Sequence, residues 1–119
     1  MMARVLIAED EAFTAIALVD TLERQGHLVR DAVDGEAAIA ALSDFHPDVL
    51  VTDLMMPNVD GAALIRHVRA SEGPALRVVL ISGVPEAKLP EDIAYDAFLG
   101  KPIDHAELGR VVKALVRRG

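Results

Sequence analysis

Three branched aliphatic residues, Val49, Leu50 and Val51, run through Thr52 into an aspartate, Asp53, and a proline, Pro57, follows four residues later. A short apolar run of this kind reads as a strand buried on both faces, the pattern of a parallel sheet covered by helices. Asp53 then stands where the strand ends. In an open α/β sheet the crevice beyond the carboxyl ends of the strands is where ligands bind. An acid at that position is therefore a candidate functional group, and the polar residues that stop the other apolar runs can be judged against it.

The rest of the chain repeats the pattern. Arg4 to Ala8 is a first aliphatic run and meets Glu9-Asp10-Glu11. From Ala12 to Gln25 the apolar positions Ala15, Leu18, Val19 and Leu22 keep helical spacing, and Gly26 ends that helix. Phe13 and Ile16 fall partly off this stripe, which implies either apolar surface offered to a partner or a wide buried face. His27 to Val33 is half polar and predicts an edge strand. Asp34 caps a second helix whose buried positions are Ala38, Ala41, Leu42 and Phe45. After Asp53 a loop with Pro57, Asn58 and Gly61 leads to a third helix over about Ala62 to Ala70, and Gly73-Pro74 breaks the chain. Leu76 to Ile81 is a fourth strand, ending at Ser82-Gly83. Val84 to Tyr95 contains Pro85 and Pro90 and has poor helical periodicity, so it predicts one or two turns at most, over Glu91 to Tyr95. Ala97-Phe98-Leu99 is a fifth strand ending at Gly100-Lys101-Pro102. Asp104 as cap, Glu107 three residues on, and the Ile103/Leu108 staple start the last helix. Strands alternating with helices give a parallel sheet with helices on both faces, and right-handed crossovers favour the doubly wound order 2-1-3-4-5, with the fourth helix shortened or irregular.

Composition narrows the function classes. A chain of 119 residues is one domain, residues 1–119, large enough for a core without disulfides, and with no cysteine it has neither disulfide nor thiolate metal site. The net charge of −7 argues against direct nucleic-acid binding, which needs clustered cations. The basic run from Lys113 to Arg118 complements a helix dipole instead. No apolar run reaches the roughly 20 residues of a membrane span, and acid follows the first aliphatic run too soon for a signal peptide. The expectation is a soluble, cytoplasmic domain that contacts no membrane.

Five polar residues stop apolar strands: Glu9 and Asp10, Asp53, Ser82, and Lys101. In the inferred sheet they surround one crevice. Three crowded carboxylates repel one another and raise at least one pKa, unless a hard divalent cation such as Mg²⁺ sits among them. Lys101 suits a phosphate oxygen, Ser82 can donate to another, and a carboxylate attacking phosphorus gives an acyl phosphate.

These residues, together with Met56-Pro57 and Asp60-Gly61 after the strand, Ser82-Gly83 and Lys101-Pro102, resemble the receiver domain of two-component response regulators over essentially the whole chain. The resemblance implies a flavodoxin-like fold and a magnesium-dependent phosphorelay function. Asp53 would accept a phosphoryl group from a histidine kinase or histidine phosphotransfer protein, assisting its own phosphorylation and dephosphorylation without being an enzyme in the ordinary sense. Asp10 would bind Mg²⁺ directly, Glu9 largely through water, and the backbone carbonyl of Met55 would be a further ligand beside Asp53. Ser82 and Lys101 would hold the phosphoryl group, Phe98 would be the switch aromatic, and the Lys101-Pro102 bond would be cis. The output would be contact with a downstream protein target. Between Ser82 and Lys101 the chain is about three residues shorter than the family norm, which puts the usual output surface in doubt. The side chains of Met55 and Val84 would shield the acyl phosphate from water.

Other readings fit less well. An aspartyl-phosphate phosphatase wants a second acid where Met55 stands, and a flavin-binding protein would meet repulsion from Glu9-Asp10-Glu11. A receiver-like adaptor that signals without phosphorylation is the alternative, as is a receiver excised from a hybrid kinase or multidomain response regulator. His27, His46, His67 and His105 lack metal-ligand spacing and read as surface residues.

Overall fold

A computed structural model describes residues 2–118. Its elements are β1 (Arg4–Ala8), α1 (Ala12–Arg24), β2 (Leu28–Ala32), α2 (Gly35–Phe45), β3 (Val49–Asp53), α3 (Gly61–Glu72), β4 (Arg77–Ser82), β5 (Ala97–Gly100) and α4 (His105–Arg118). The strands form one sheet in the order β2-β1-β3-β4-β5, all neighbours parallel, as the alternation predicts. The expected domain of residues 1–119 includes Met1 and Gly119, which lie outside the described residues, as does the side chain of Arg118 in the basic run of α4.

The period-two alternation of the strands divides the core. Leu6, Leu50, Val78 and Leu80 point to one face and pack with Ala38 and Phe45 of α2 and Leu64, Ile65 and Val68 of α3. Val5, Ile7, Val49, Val51, Val79 and Ile81 point to the other and pack with Leu18 and Leu22 of α1 and Leu108, Val112 and Leu115 of α4. Every residue of β3 is buried, so the strand that carries Asp53 is the most enclosed element of the fold.

Carboxylate caps fix where the helices begin. Glu11 accepts from the Phe13 and Thr14 amides, Asp34 from Ala37, Asp60 from Ala63 and Asp104 from Glu107. Each satisfies amides that have no partner inside the helix. Helix α1 ends one residue earlier than the apolar spacing implies, with Gln25 as its cap and Gly26 in the left-handed region at φ 91°. Helix α3 runs longer than expected, to Glu72.

Two expectations need correction. The turn in the 84–95 segment is a single 3₁₀ turn at Glu86–Lys88, not Glu91 to Tyr95. Leu89, before Pro90, is extended and ends that turn, and the segment is fastened from outside instead. Leu89 and Ile93 are buried in the core on the α2/α3 side. Arg66 donates two hydrogen bonds to Asp92, at 2.7 and 2.8 Å. Arg69 donates to the carbonyls of Ala94, Gly73 and Leu76 and to Asp96. The second correction concerns His27, which is buried rather than on the surface. Its Nδ1 accepts the Ala3 amide at 3.0 Å, and desolvation lowers its pKa below the usual 6.5.

Candidate functional site

Strands β1, β3, β4 and β5 end side by side, and their ends bring all five sequence-predicted polar residues together. Lys101 follows β5 and is tied back to β4 by its amide, which donates to the Ser82 carbonyl at 2.9 Å. Its ammonium donates to Asp53 Oδ2 at 2.8 Å and lies 3.7 Å from Glu9 Oε1. The Lys101-Pro102 peptide bond is cis.

Asp53 and Glu9 are buried, whereas Asp10 is exposed. One carboxylate oxygen from each of the three lies within 4.8 Å of the others. Glu9 is penalised by its surroundings. Burial is the main cause that pushes its carboxyl up to about 7; the Glu11 amide, donating to Oε2 at 3.0 Å, works against the rise, and the charge of Asp53 adds to it. Burial alone would lower the Lys101 ammonium, but its hydrogen bond to Asp53 and the charges of Asp53, Glu9 and Asp10 outweigh that and raise it.

These residues fit a hard divalent cation. Glu9 Oε1 is buried with no hydrogen-bond partner among the described residues. With all three carboxylates in the ionised form that a metal would bind, one ammonium would leave two negative charges in excess, the charge of one such ion. All the side-chain donors are oxygen, which suits Mg²⁺ better than a thiophilic or imidazole-preferring metal.

Ser82 is buried at the end of β4, with its hydroxyl turned to its own loop. Oγ accepts the Val84 amide at 2.8 Å and donates to the Val84 carbonyl at 3.2 Å. Phe98 is half-buried, packs on the α2/α3 core and meets Tyr95 with ring centroids 6.3 Å apart. The Met55 side chain is 68% exposed, in the loop between β3 and α3. That loop closes tightly: the Leu54 amide donates to the Ile81 carbonyl at 3.0 Å, and the Gly61 amide to the Leu54 carbonyl at 2.8 Å.

Sequence reasoning missed the role of two glycines at this loop. A Cβ on Gly61 would run into the Asp53 carbonyl oxygen and stand 2.8 Å from Leu54 Cα. A Cβ on Gly35 would do the same to the Val59 carbonyl oxygen and stand 2.8 Å from Val59 Cβ. The signal was present: Asp-Gly opens both α2 and α3, where alanine would serve a helix better. Phe13 and Ile16 on α1 are 84% and 65% exposed, which excludes the wide buried face.

An acid triad with a lysine at the carboxyl edge of a 2-1-3-4-5 sheet defines a class, and comparison with known proteins gives the same class. The chain belongs to the response regulator receiver domain family, whose profile matches residues 5–113. It is a signalling domain of two-component phosphorelay systems. The DNA-binding transcriptional regulator RpaA of Synechocystis is 32% identical over 98% of this chain and 50% of its own length. The sensor kinase CckA of Brucella abortus is 30% identical over 98% of this chain, but the match covers only 13% of the kinase. The receiver domain of Francisella response regulator 1452 superposes with a TM-score of 0.86 at 28% identity, covering 98% of both chains. The chain thus spans about half the length of RpaA and a small part of CckA. No helix among the described residues is long and apolar enough to cross a membrane.

Proposed function

We propose that residues 1–119 act as one receiver unit in which Asp53 accepts a phosphoryl group, in a Mg²⁺-dependent step, from a histidine kinase or histidine phosphotransfer protein. The observation that carries the reading is the buried Asp53 carboxylate held at 2.8 Å by Lys101 inside the acid triangle. An Asp53 oxygen attacks phosphorus, the P–N bond to the donor imidazole breaks, and its electron pair stays on the imidazole nitrogen. Glu9, Asp10, Asp53 and the Met55 carbonyl would hold the ion, Asp10 directly and Glu9 largely through water. When bound there, Mg²⁺ offsets the charge of the transferring group.

The protein's own side chains do the rest. Lys101 contacts the nucleophile at 2.8 Å and would turn to a phosphoryl oxygen once one is there. Ser82 must leave the Val84 backbone to donate to another, and Phe98 moves with that rearrangement. The switched surface then changes contacts with a downstream protein. A groove of about 370 Å³ beside Lys101, lined also by Phe13, Ala17, Pro102 and Ile103, supports docking of a phosphoryl donor on that side of the site. RpaA and CckA, by their names a regulator and a kinase, support both parental settings for such a unit. The domain's net charge of −7 supports output through protein rather than nucleic acid, and the family match is consistent with a cytoplasmic setting.

The test is incubation with acetyl phosphate and Mg²⁺, with and without chelator, followed by intact mass. The expected result is a metal-dependent gain of one phosphoryl group that Asp53→Ala abolishes. No gain leaves the adaptor reading in its place, and a gain that survives in Asp53→Ala removes Asp53 as the acceptor.

A further inference from the structure

The metal-site loop is held at both ends by positions without a Cβ. At one end Gly61 lets the first turn of α3 rest against the Asp53 carbonyl. At the other, Gly35, buried in the first turn of α2, sits so close to Val59 that an added Cβ would be 2.8 Å from both Val59 Cβ and Cγ1 and nearer still to the Val59 carbonyl oxygen. Neither glycine lies in the left-handed region, so the backbone does not require glycine at either position. Glycine also costs a helix about 0.5–1 kcal/mol against alanine in regular positions. Only the close approach accounts for its presence.

We infer that Gly35, a residue far from the carboxylates in sequence, is a positioning residue for the metal site: it seats Val59, and through Val59 the 54–60 loop that carries the Met55 carbonyl. Val59 itself packs against the α2/α3 core, so the contact is a fixed point rather than a loose tip. Helix α2 contributes no ligand, but its first turn sets the height of the loop that does. The inference rests on the proposed metal role of Met55 and deepens it.

The test is Mg²⁺ affinity by calorimetry for wild type, Gly35→Ala and Val59→Ala, with thermal melting in chelator measured alongside. Gly35→Ala pushes the loop away and is expected to weaken Mg²⁺ about tenfold, the effect typical of groups that orient a ligand from behind. Val59→Ala adds no clash, loosens the seat and is expected to weaken Mg²⁺ by a smaller factor; it decides the matter should Gly35→Ala fail to fold. A purely structural role predicts lower melting temperatures with wild-type Mg²⁺ affinity, and that result overturns the inference. Wild type failing to bind Mg²⁺ removes the proposed function and this inference together, whereas normal binding in wild type and both variants removes the inference alone.

Discussion

Replacing Glu9 with glutamine removes one buried charge and keeps the shape of the side chain. In chelator, the ionised Glu9 is a burden on the folded state, because its carboxyl is pushed from 4.5 up to about 7 by burial and by the neighbouring Asp53. At about 1.4 kcal/mol per pKa unit this is about 3 kcal/mol at most. Between pH 4.5 and 7 the folded protein keeps a proton on Glu9 that the unfolded chain has lost. The folded state therefore binds more protons, and stability falls as pH rises through that window. Glu9→Gln escapes the loss. Its advantage over wild type should be near zero at pH 4.5, grow to about 1–3 kcal/mol by pH 8, and then level off. His27 works in the opposite sense: its pKa is lowered from 6.5 by burial, so its contribution is present above pH 6.5 and lost as pH falls below it. It is common to both proteins and cancels in the difference. Urea denaturation followed by circular dichroism measures the gap, which corresponds to roughly 3–6 °C of melting temperature per kcal/mol. Saturating Mg²⁺ should close or reverse it, because binding stabilises the folded state and the variant, with one acid fewer, binds the ion more weakly. A variant no more stable than wild type at pH 8, or equally favoured at pH 5 and pH 8, refutes the reasoning.

Other perturbations separate the roles of neighbouring groups. Lys101→Met removes the ammonium at 2.8 Å from Asp53 but keeps the apolar stem; phosphorylation by acetyl phosphate should slow roughly a hundredfold while Mg²⁺ binds no more weakly, since a competing cation is gone. Arg69→Met unfastens Ala94, Asp96 and two further carbonyls from a side chain only 19% exposed; urea denaturation should register a loss of about 2–3 kcal/mol, with faster hydrogen exchange across residues 92–96. Met55→Asn exchanges an exposed apolar side chain beside the site for one that can hold water, and should shorten the lifetime of the phosphorylated form; an unchanged decay rate argues against shielding.

The sheet order and the acid cluster were legible because both follow from strict patterns. Buried strands are aliphatic runs, and Glu9, Asp10, Asp53, Ser82 and Lys101 each stand where such a run stops. Contacts between distant segments left weaker traces. His27 looks polar in the sequence, yet its ring replaces a missing strand partner for the Ala3 amide, which a single ring nitrogen can do without charge. The 84–96 segment carries two prolines that forbid a helix, but nothing local announces that Arg66 and Arg69, a full element away, hold it in place. Ser82 was readable as a hydrogen-bond donor to a phosphoryl oxygen, not as a hydroxyl engaged with Val84. Glycines at the first turn of α2 and α3 pass for ordinary helix starts until the space around them is known.

Calorimetric titration of the wild-type protein with Mg²⁺ at pH 7 in buffers of different ionisation enthalpy tests the central claim most directly. Metal entering a cluster in which Glu9 titrates at about 7 should release a fraction of a proton, and that release should fade by about pH 9, where the cluster is already ionised. Absence of Mg²⁺ binding, or binding that neither releases protons at pH 7 nor weakens in Asp10→Asn, contradicts the account.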